Sequence, residues 1–222
     1  YPANHPDHQG IVVLKNGAVI EHAREAIRLW KPNDWESMGG VVQVQGTNDP
    51  ATWPKFINCR RSAEFMKYQN FQPVNPATLR PNLSYFNYAQ FIVDDDYRGG
   101  DDFEGHVSLW GVDGVNFRAC GFKNAQNTVT DSQRLGEGIL SLDANYSVGA
   151  NCTVILPYGT PCPDEDLDRG NFEGLGTGIY ALGGGSGRGF AAGNLDFNNN
   201  IVGLYTEGLS GFSAIRNQFT MG

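Results

Sequence analysis

The chain has 222 residues and a formal charge of −8, with a pI near 4.9. So acidic a protein lacks the basic footprint of a phosphate-backbone binder, which argues against nucleic acid as a partner. No apolar run approaches the ~18 residues of a spanning helix, so no membrane span is expected. Gly 29 and Pro 11 stand well above the ordinary share of chain-breakers, and charged residues are only 18% against a usual figure of about 25%. The expectation is a turn-rich β protein forming one domain over residues 1–222.

Residues 1–10 read as a polar lead-in to a strand signal at 11–14. The chain starts at Tyr1 rather than Met and ends at 219–222 within a strand-like pattern, so a piece of a longer polypeptide is expected. Six segments then share an apolar–x–Asn form: Ile20-Glu21-His22 (His22 standing in for Asn), Phe56-Ile57-Asn58, Tyr85-Phe86-Asn87, Phe122-Lys123-Asn124, Phe197-Asn198-Asn199 and Ile215-Arg216-Asn217. Short alternating strands with a nearby glycine are predicted at 40–44, 106–110, 138–142 and 178–182, and a third set at 26–30, 89–93 and 201–205. Insertions at 47–54, 72–81, 94–104, 128–134 and 150–170 interrupt these units, and in repeat folds such loops tend to gather on one face.

Recurrence of an apolar–x–Asn corner followed by short strands predicts a coil. In such a coil Asn58, Asn87, Asn124, Asn199 and Asn217 would stack at the strand spacing of about 4.8 Å, as amides and aromatics do in repeated parallel strands. The competing architecture is a β-sandwich whose strands end in Asn, a good turn former. Against it, Asn16-Gly17 is the only Asn-Gly pair and Asp113-Gly114 the only Asp-Gly pair of the kind that closes tight hairpins.

The stretches FINCRRSAEFM, VNFRACGFKNA, GTGIYALGGG and LDFNNNIVGLYTEGLSGFSAIRNQF resemble repeats of the right-handed parallel β-helix, or pectin-lyase-like, family. They look most like those in large secreted bacterial surface proteins exported by the type IX route. The resemblance implies an all-β solenoid with loop insertions on one face. It spans nearly the whole chain, yet it leaves function open, because the fold hosts lyases, hydrolases and adhesins alike.

Among four cysteines, Cys152 and Cys162 bracket a loop rich in Pro and Gly. Their spacing predicts a short surface disulfide worth about 2–3 kcal/mol by the chain-entropy account; two free thiols are the alternative. Cys59 and Cys120 lie in strand-like runs and read as buried small residues. A bridged pair points to an extracytoplasmic, secreted or cell-surface setting.

Three kinds of chemistry have candidate residues. Asp94, Asp95, Asp96, Asp101, Asp102 and Glu104 crowd one Gly-containing loop, where oxygen ligands would suit calcium; the plainer reading is a solvated acidic face. No other cofactor is expected. Carboxylate pairs for glycoside hydrolysis have no matching polygalacturonase-like motif, so no catalytic residue is assigned. Exposed rings at Trp35, Trp53, Tyr97, Trp110 and Tyr158 would stack on a sugar or anchor a partner, or simply cover seams of the coil. The reading is a β-helical, adhesin-like binding module, carbohydrate-binding in character. The alternative is a polysaccharide lyase or glycoside hydrolase of the same fold.

Overall fold

Side chains of a strand alternate between two faces, so a parallel, in-register stack sets each inward residue on its own counterpart in the next strand. The computed structural model, which describes residues 10–29, 40–66, 70–71, 79–80, 84–99, 103–129, 135–157 and 159–221, is built on that rule. The first round of the chain contributes β1 (Gly10–Lys15), β2 (Val19–Glu21) and β3 (Glu25–Arg28), and the second β4 (Gly40–Gln45), β5 (Lys55–Ile57) and β6 (Arg61–Phe65). After a short antiparallel pair, β7 (Asn70–Phe71) and β8 (Leu79–Arg80), a third round follows as β9 (Tyr85–Asn87), β10 (Gln90–Val93) and β11 (Gly105–Trp110). The fourth is β12 (Asp113–Arg118), β13 (Gly121–Asn124) and β14 (Glu137–Leu142). The fifth begins with β15 (Asn145–Gly149), detours through the antiparallel pair β16 (Asn151–Cys152) and β17 (Leu167–Asp168), and resumes as β18 (Gly170–Glu173) and β19 (Thr177–Leu182). The last strands are β20 (Phe190–Gly193), β21 (Leu195–Asn198), β22 (Val202–Glu207), β23 (Phe212–Ile215) and β24 (Gln218–Thr220).

These strands form three parallel sheets. The first is ordered β1-β4-β9-β12-β15-β20-β23, the second β2-β5-β10-β13-β18-β21-β24 and the third β3-β6-β11-β14-β19-β22. The chain therefore visits the sheets in one fixed order round after round. That order is compatible with a β-helix. No α-helix occurs among the described residues.

The core is a set of columns. On the second sheet Ile20, Phe56, Phe91, Phe122, Phe172, Phe197 and Phe219 pair in register. Successive rings from Phe56 onward lie 4.6–5.0 Å apart and within 10° of parallel. The first sheet adds Val44, Phe86, Phe117, Val148 and Ala192, and the third Ile27, Ala63, Val107, Ile139 and Ile179.

Corners between strands turn on one residue in the left-handed region. His22, Asn58, Gly174 and Asn199 do this between the second and third sheets, at φ of 53°, 53°, 69° and 54°. Asn and Gly tolerate that conformation best, which explains part of the apolar–x–Asn signal: an inward residue, an outward one, then the corner. Between the first and second sheets the same conformation falls on Tyr88, Ala119, Asn194 and Arg216.

The five-member Asn stack does not form. Asn58 bonds to Asp94, Asn124 bonds within its own insertion, and Asn199 is exposed. Asn87 belongs to the first sheet, one residue ahead of its corner at Tyr88. Asn217 joins adjacent rounds through backbone partners, donating to the Ala192 carbonyl at 3.1 Å and accepting from the Leu195 N–H at 3.0 Å. Asn200, which was not singled out, does the same at the other corner, with Phe172 at 2.8 Å and Leu175 at 2.9 Å. Earlier rounds place cysteines at these two positions. Cys59 donates to the Ile20 carbonyl at 3.7 Å and Cys120 to that of Phe86 at 3.2 Å. Both thiols are free and buried, and burial pushes Cys120 up to about 12.

Insertions do not gather on one face as expected. Residues 47–54 and 150–170 leave between the first and second sheets, 94–104 and 128–134 between the second and third, and 72–81 between the third and first. Lengthening a closed loop costs little extra entropy, so any corner can accept one while the columns stay in register. Residues 40–44 join the first sheet rather than the set with 106–110, and 89–93 the second rather than the set with 26–30. The disulfide Cys152–Cys162 is present, with Cα atoms 5.9 Å apart.

Two outcomes follow. Phe122→Ala opens a gap in the middle of the ring column and should cost about 3–5 kcal/mol by chemical denaturation, against a much smaller loss for Phe219→Ala at the exposed end (Phe219 is 59% exposed). Alkylation of the native protein should label no cysteine without reductant and Cys152 and Cys162 after reduction, with Cys59 and Cys120 reacting only on unfolding; native labelling of Cys120 would contradict the corner assignment.

Candidate functional site

The corner between the second and third sheets carries a concavity beside an insertion. His22 and Asn58 make the turn in successive rounds, which sets Arg24 and Arg60 just ahead of β3 and β6. The 94–104 insertion is fastened over this corner by a reciprocal pair. Asn58 Nδ2 donates to Asp94 Oδ1 at 2.7 Å, and the Asp94 N–H donates to Asn58 Oδ1 at 2.9 Å. A turn closed by Tyr97 N–H on the Asp94 carbonyl (3.1 Å) then brings Tyr97 and Arg98 across. The resulting cleft, about 340 Å³, is lined by His22, Arg24, Asn58, Arg60, Tyr97 and Arg98 among others.

Behind the cleft lies a charged cluster. Glu104 accepts from Arg60 and, at 2.7 Å, from Arg61 Nη2. Burial alone would raise the Glu104 pKa, but the Arg61 bond and the charges of Arg61 and Arg60 hold it below the usual carboxylate range. Glu137 sits one round on, its N–H donating to the Glu104 carbonyl at 3.1 Å. Burial raises its pKa, Glu104 adds to that, and Arg61 opposes it. Its column neighbour is Gly105, where any Cβ would stand 2.8 Å from the Glu137 carbonyl and 3.0 Å from Oε2. His106 is buried beneath, against Phe103 at 4.7 Å, and Nε2 lies 3.1 Å from the Lys123 carbonyl. Burial pushes its pKa down to about 3, the Lys123 carbonyl opposing and Arg61 assisting. It is thus a neutral core residue donating from Nε2.

The predicted site residues scatter. Trp53 lies against Tyr88, ring centroids 5.7 Å apart and tilted by 40°, and donates Nε1–H to the Thr47 carbonyl at 2.7 Å, stapling its own insertion. Trp110 is 46% exposed at the end of β11. Tyr97 alone of the described rings lines the cleft, with its edge on Phe103 at 6.3 Å. Trp35 and Tyr158 lie outside the described residues, as do Asp101 and Asp102.

The remaining acids of the loop have separate partners. Asp95 accepts from Asn127 Nδ2 at 3.0 Å and N–H at 2.8 Å, and from Thr128, contacts that lower its pKa. Asp94 is held by Asn58 and Glu104 by the two arginines, while Asp96 is exposed. Among the described residues no group of three or more His, Cys, Asp or Glu is placed to hold a metal ion. Sequence reasoning passed over Arg24, Arg60, Arg98 and Glu137. The Arg60-Arg61 doublet at the head of a strand was the available signal.

A shallower trough of about 500 Å³ runs along the outside of the first sheet, past Asn116, Ser147 and Ser213. Its polar groups partly satisfy one another, as where Ser147 Oγ donates to Asn116 Oδ1 at 2.6 Å.

No protein family, curated protein or solved structure matches this chain.

The His106 environment makes a pH prediction. A histidine whose folded pKa is depressed contributes its full stability above the unfolded value of 6.5, and that contribution is lost as pH falls toward about 3. Each pH unit below 6.5 should cost about 1.4 kcal/mol. Wild type should therefore lose about 2 kcal/mol more than His106→Gln between pH 7 and pH 5 in urea melts; equal losses would show that His106 titrates normally.

Proposed function

We propose that the protein is a right-handed parallel β-helix of the pectin-lyase-like kind that serves as a secreted or cell-surface, adhesin-like module, and that it binds a glycan in the cleft beneath the 94–99 insertion. The observation that carries the reading is the cleft itself, where planar polar side chains (His22, Arg24, Asn58, Arg60 and Arg98) surround one aromatic ring, Tyr97. Such a mix suits sugar hydroxyls and the apolar face of a pyranose. The columns behind the cleft make a rigid support, which limits the ordering cost of binding. The Cys152–Cys162 bridge supports an oxidising compartment.

One observation favours the enzymatic alternative, a polysaccharide lyase or hydrolase. Glu104 and Glu137 are neighbours whose pKa values are driven in opposite directions, as in acid–base pairs. Weighing against it, both Glu104 oxygens are already engaged by Arg60 and Arg61.

Glycan-array binding, with and without EDTA, tests the module and any calcium requirement together. Wild type should retain at least one class of oligosaccharide and Tyr97→Ala should lose it at least tenfold. A blank array, or binding indifferent to Tyr97, would remove the cleft from consideration. Release of reducing ends that disappears in Glu137→Gln would turn the reading to the enzyme.

A further inference from the structure

We infer that the cleft is a receptor for an oxyanion carried on the ligand, a carboxylate or sulfate group, with Arg24 and Arg98 as the residues that grasp it; this rests on the glycan reading above. Three guanidinium groups line the cavity and, among the described residues, no carboxylate does. That lining runs against a chain of net charge −8. It runs even more sharply against the insertion that supplies Arg98, where Arg98 is the one basic residue among six acids.

Three of the four acids described in that insertion turn to other partners, and Asp96 is exposed. Asp94 is fastened to Asn58, Asp95 to Asn127 and Thr128, and Glu104 to the far side of Arg60 with Arg61. Arg98 is exposed at the rim, and no carboxylate among the described residues lies within ion-pair distance of it. The Arg24 side chain is 76% exposed, and its contact with Glu25 is a loose 3.9 Å. Arg60, by contrast, is 21% exposed and held in place by Glu104. One cation held at the back and two exposed ones at the rim form a pincer. The planar fork of each guanidinium matches two oxygens of a carboxylate or sulfate.

Net charge sets the range of this recognition. At physiological ionic strength fields are screened beyond about 8 Å. An anionic ligand is therefore not drawn in from afar by this acidic protein and is recognised on contact, by the pincer.

The test compares three oligosaccharides of one backbone: the uronic acid form, its carboxyl-reduced neutral form, and the neutral form bearing sulfate esters. Binding is measured calorimetrically to wild type, Arg24→Gln, Arg98→Gln and the double variant, all surface changes whose melting curves should match wild type. Expected is binding of an acidic form at least tenfold tighter than the neutral one, weakening with NaCl, and at least tenfold lost in the double variant. Arg98→Lys should fall between, since it keeps the charge and loses the fork. Whether the uronate or the sulfate ester binds tells which oxyanion is taken. Equal binding of neutral and acidic forms, undiminished in the double variant, overturns the oxyanion site and leaves the glycan reading standing. Failure of all three to bind, together with a blank array, overturns both.

Discussion

Everything else in this protein depends on parallel, in-register stacking at the spacing of neighbouring strands. At about 4.8 Å that spacing is also a comfortable distance between offset aromatic rings, so one geometry satisfies the backbone ladder and the side-chain column together. The Phe column from Phe56 to Phe219 keeps ring separations of 4.6–5.0 Å over the second sheet. A slip of one residue would turn each such ring to the outside. Burial of large rings on every round therefore sets the register as firmly as the hydrogen bonds do.

Register held by the columns leaves the corners free to differ. A single left-handed residue turns many of the tight corners, and at four of them the residue after it ties adjacent rounds through a donor aimed at the carbonyl below. Asn200 and Asn217 do this with an amide, Cys59 and Cys120 with a thiol. Where a corner is replaced by an insertion, the columns on either side continue unbroken, as Phe122 and Phe172 stack at 4.6 Å across the insertion of residues 150–170.

That freedom is what builds the cleft. The stacked corners set Arg24 and Arg60 one above the other, and the Asn58–Asp94 pair fastens the insertion that delivers Tyr97 and Arg98. Glu104, at the end of the same insertion, returns to clamp Arg60 and Arg61. Asp94, Asp95 and Glu104 thus act as fasteners between rounds, and Arg24, Arg60 and Arg98 line the cavity. Charge count along the loop and charge direction in space are different quantities.

The sequence by itself determined the all-β class, the recurrence of short strands, the Cys152–Cys162 bridge and the buried character of Cys59 and Cys120. Each of these depends on alternation, turn chemistry or spacing within a few residues, and such local preferences act before any long-range contact forms. Which residues stack was left to the tertiary structure, because rounds of unequal length hide their own period: the step from Phe122 to Phe172 is more than twice that from Phe197 to Phe219. Tyr85-Phe86-Asn87 looked like a member of the second-sheet motif and belongs to the first sheet, while Phe91 and Phe172, which lack the Asn, are members of the Phe column. The cleft was equally out of reach. Its arginines come from three places in the chain, and only the stacking of one round on the next brings Arg24, Arg60 and Arg98 to the same cavity.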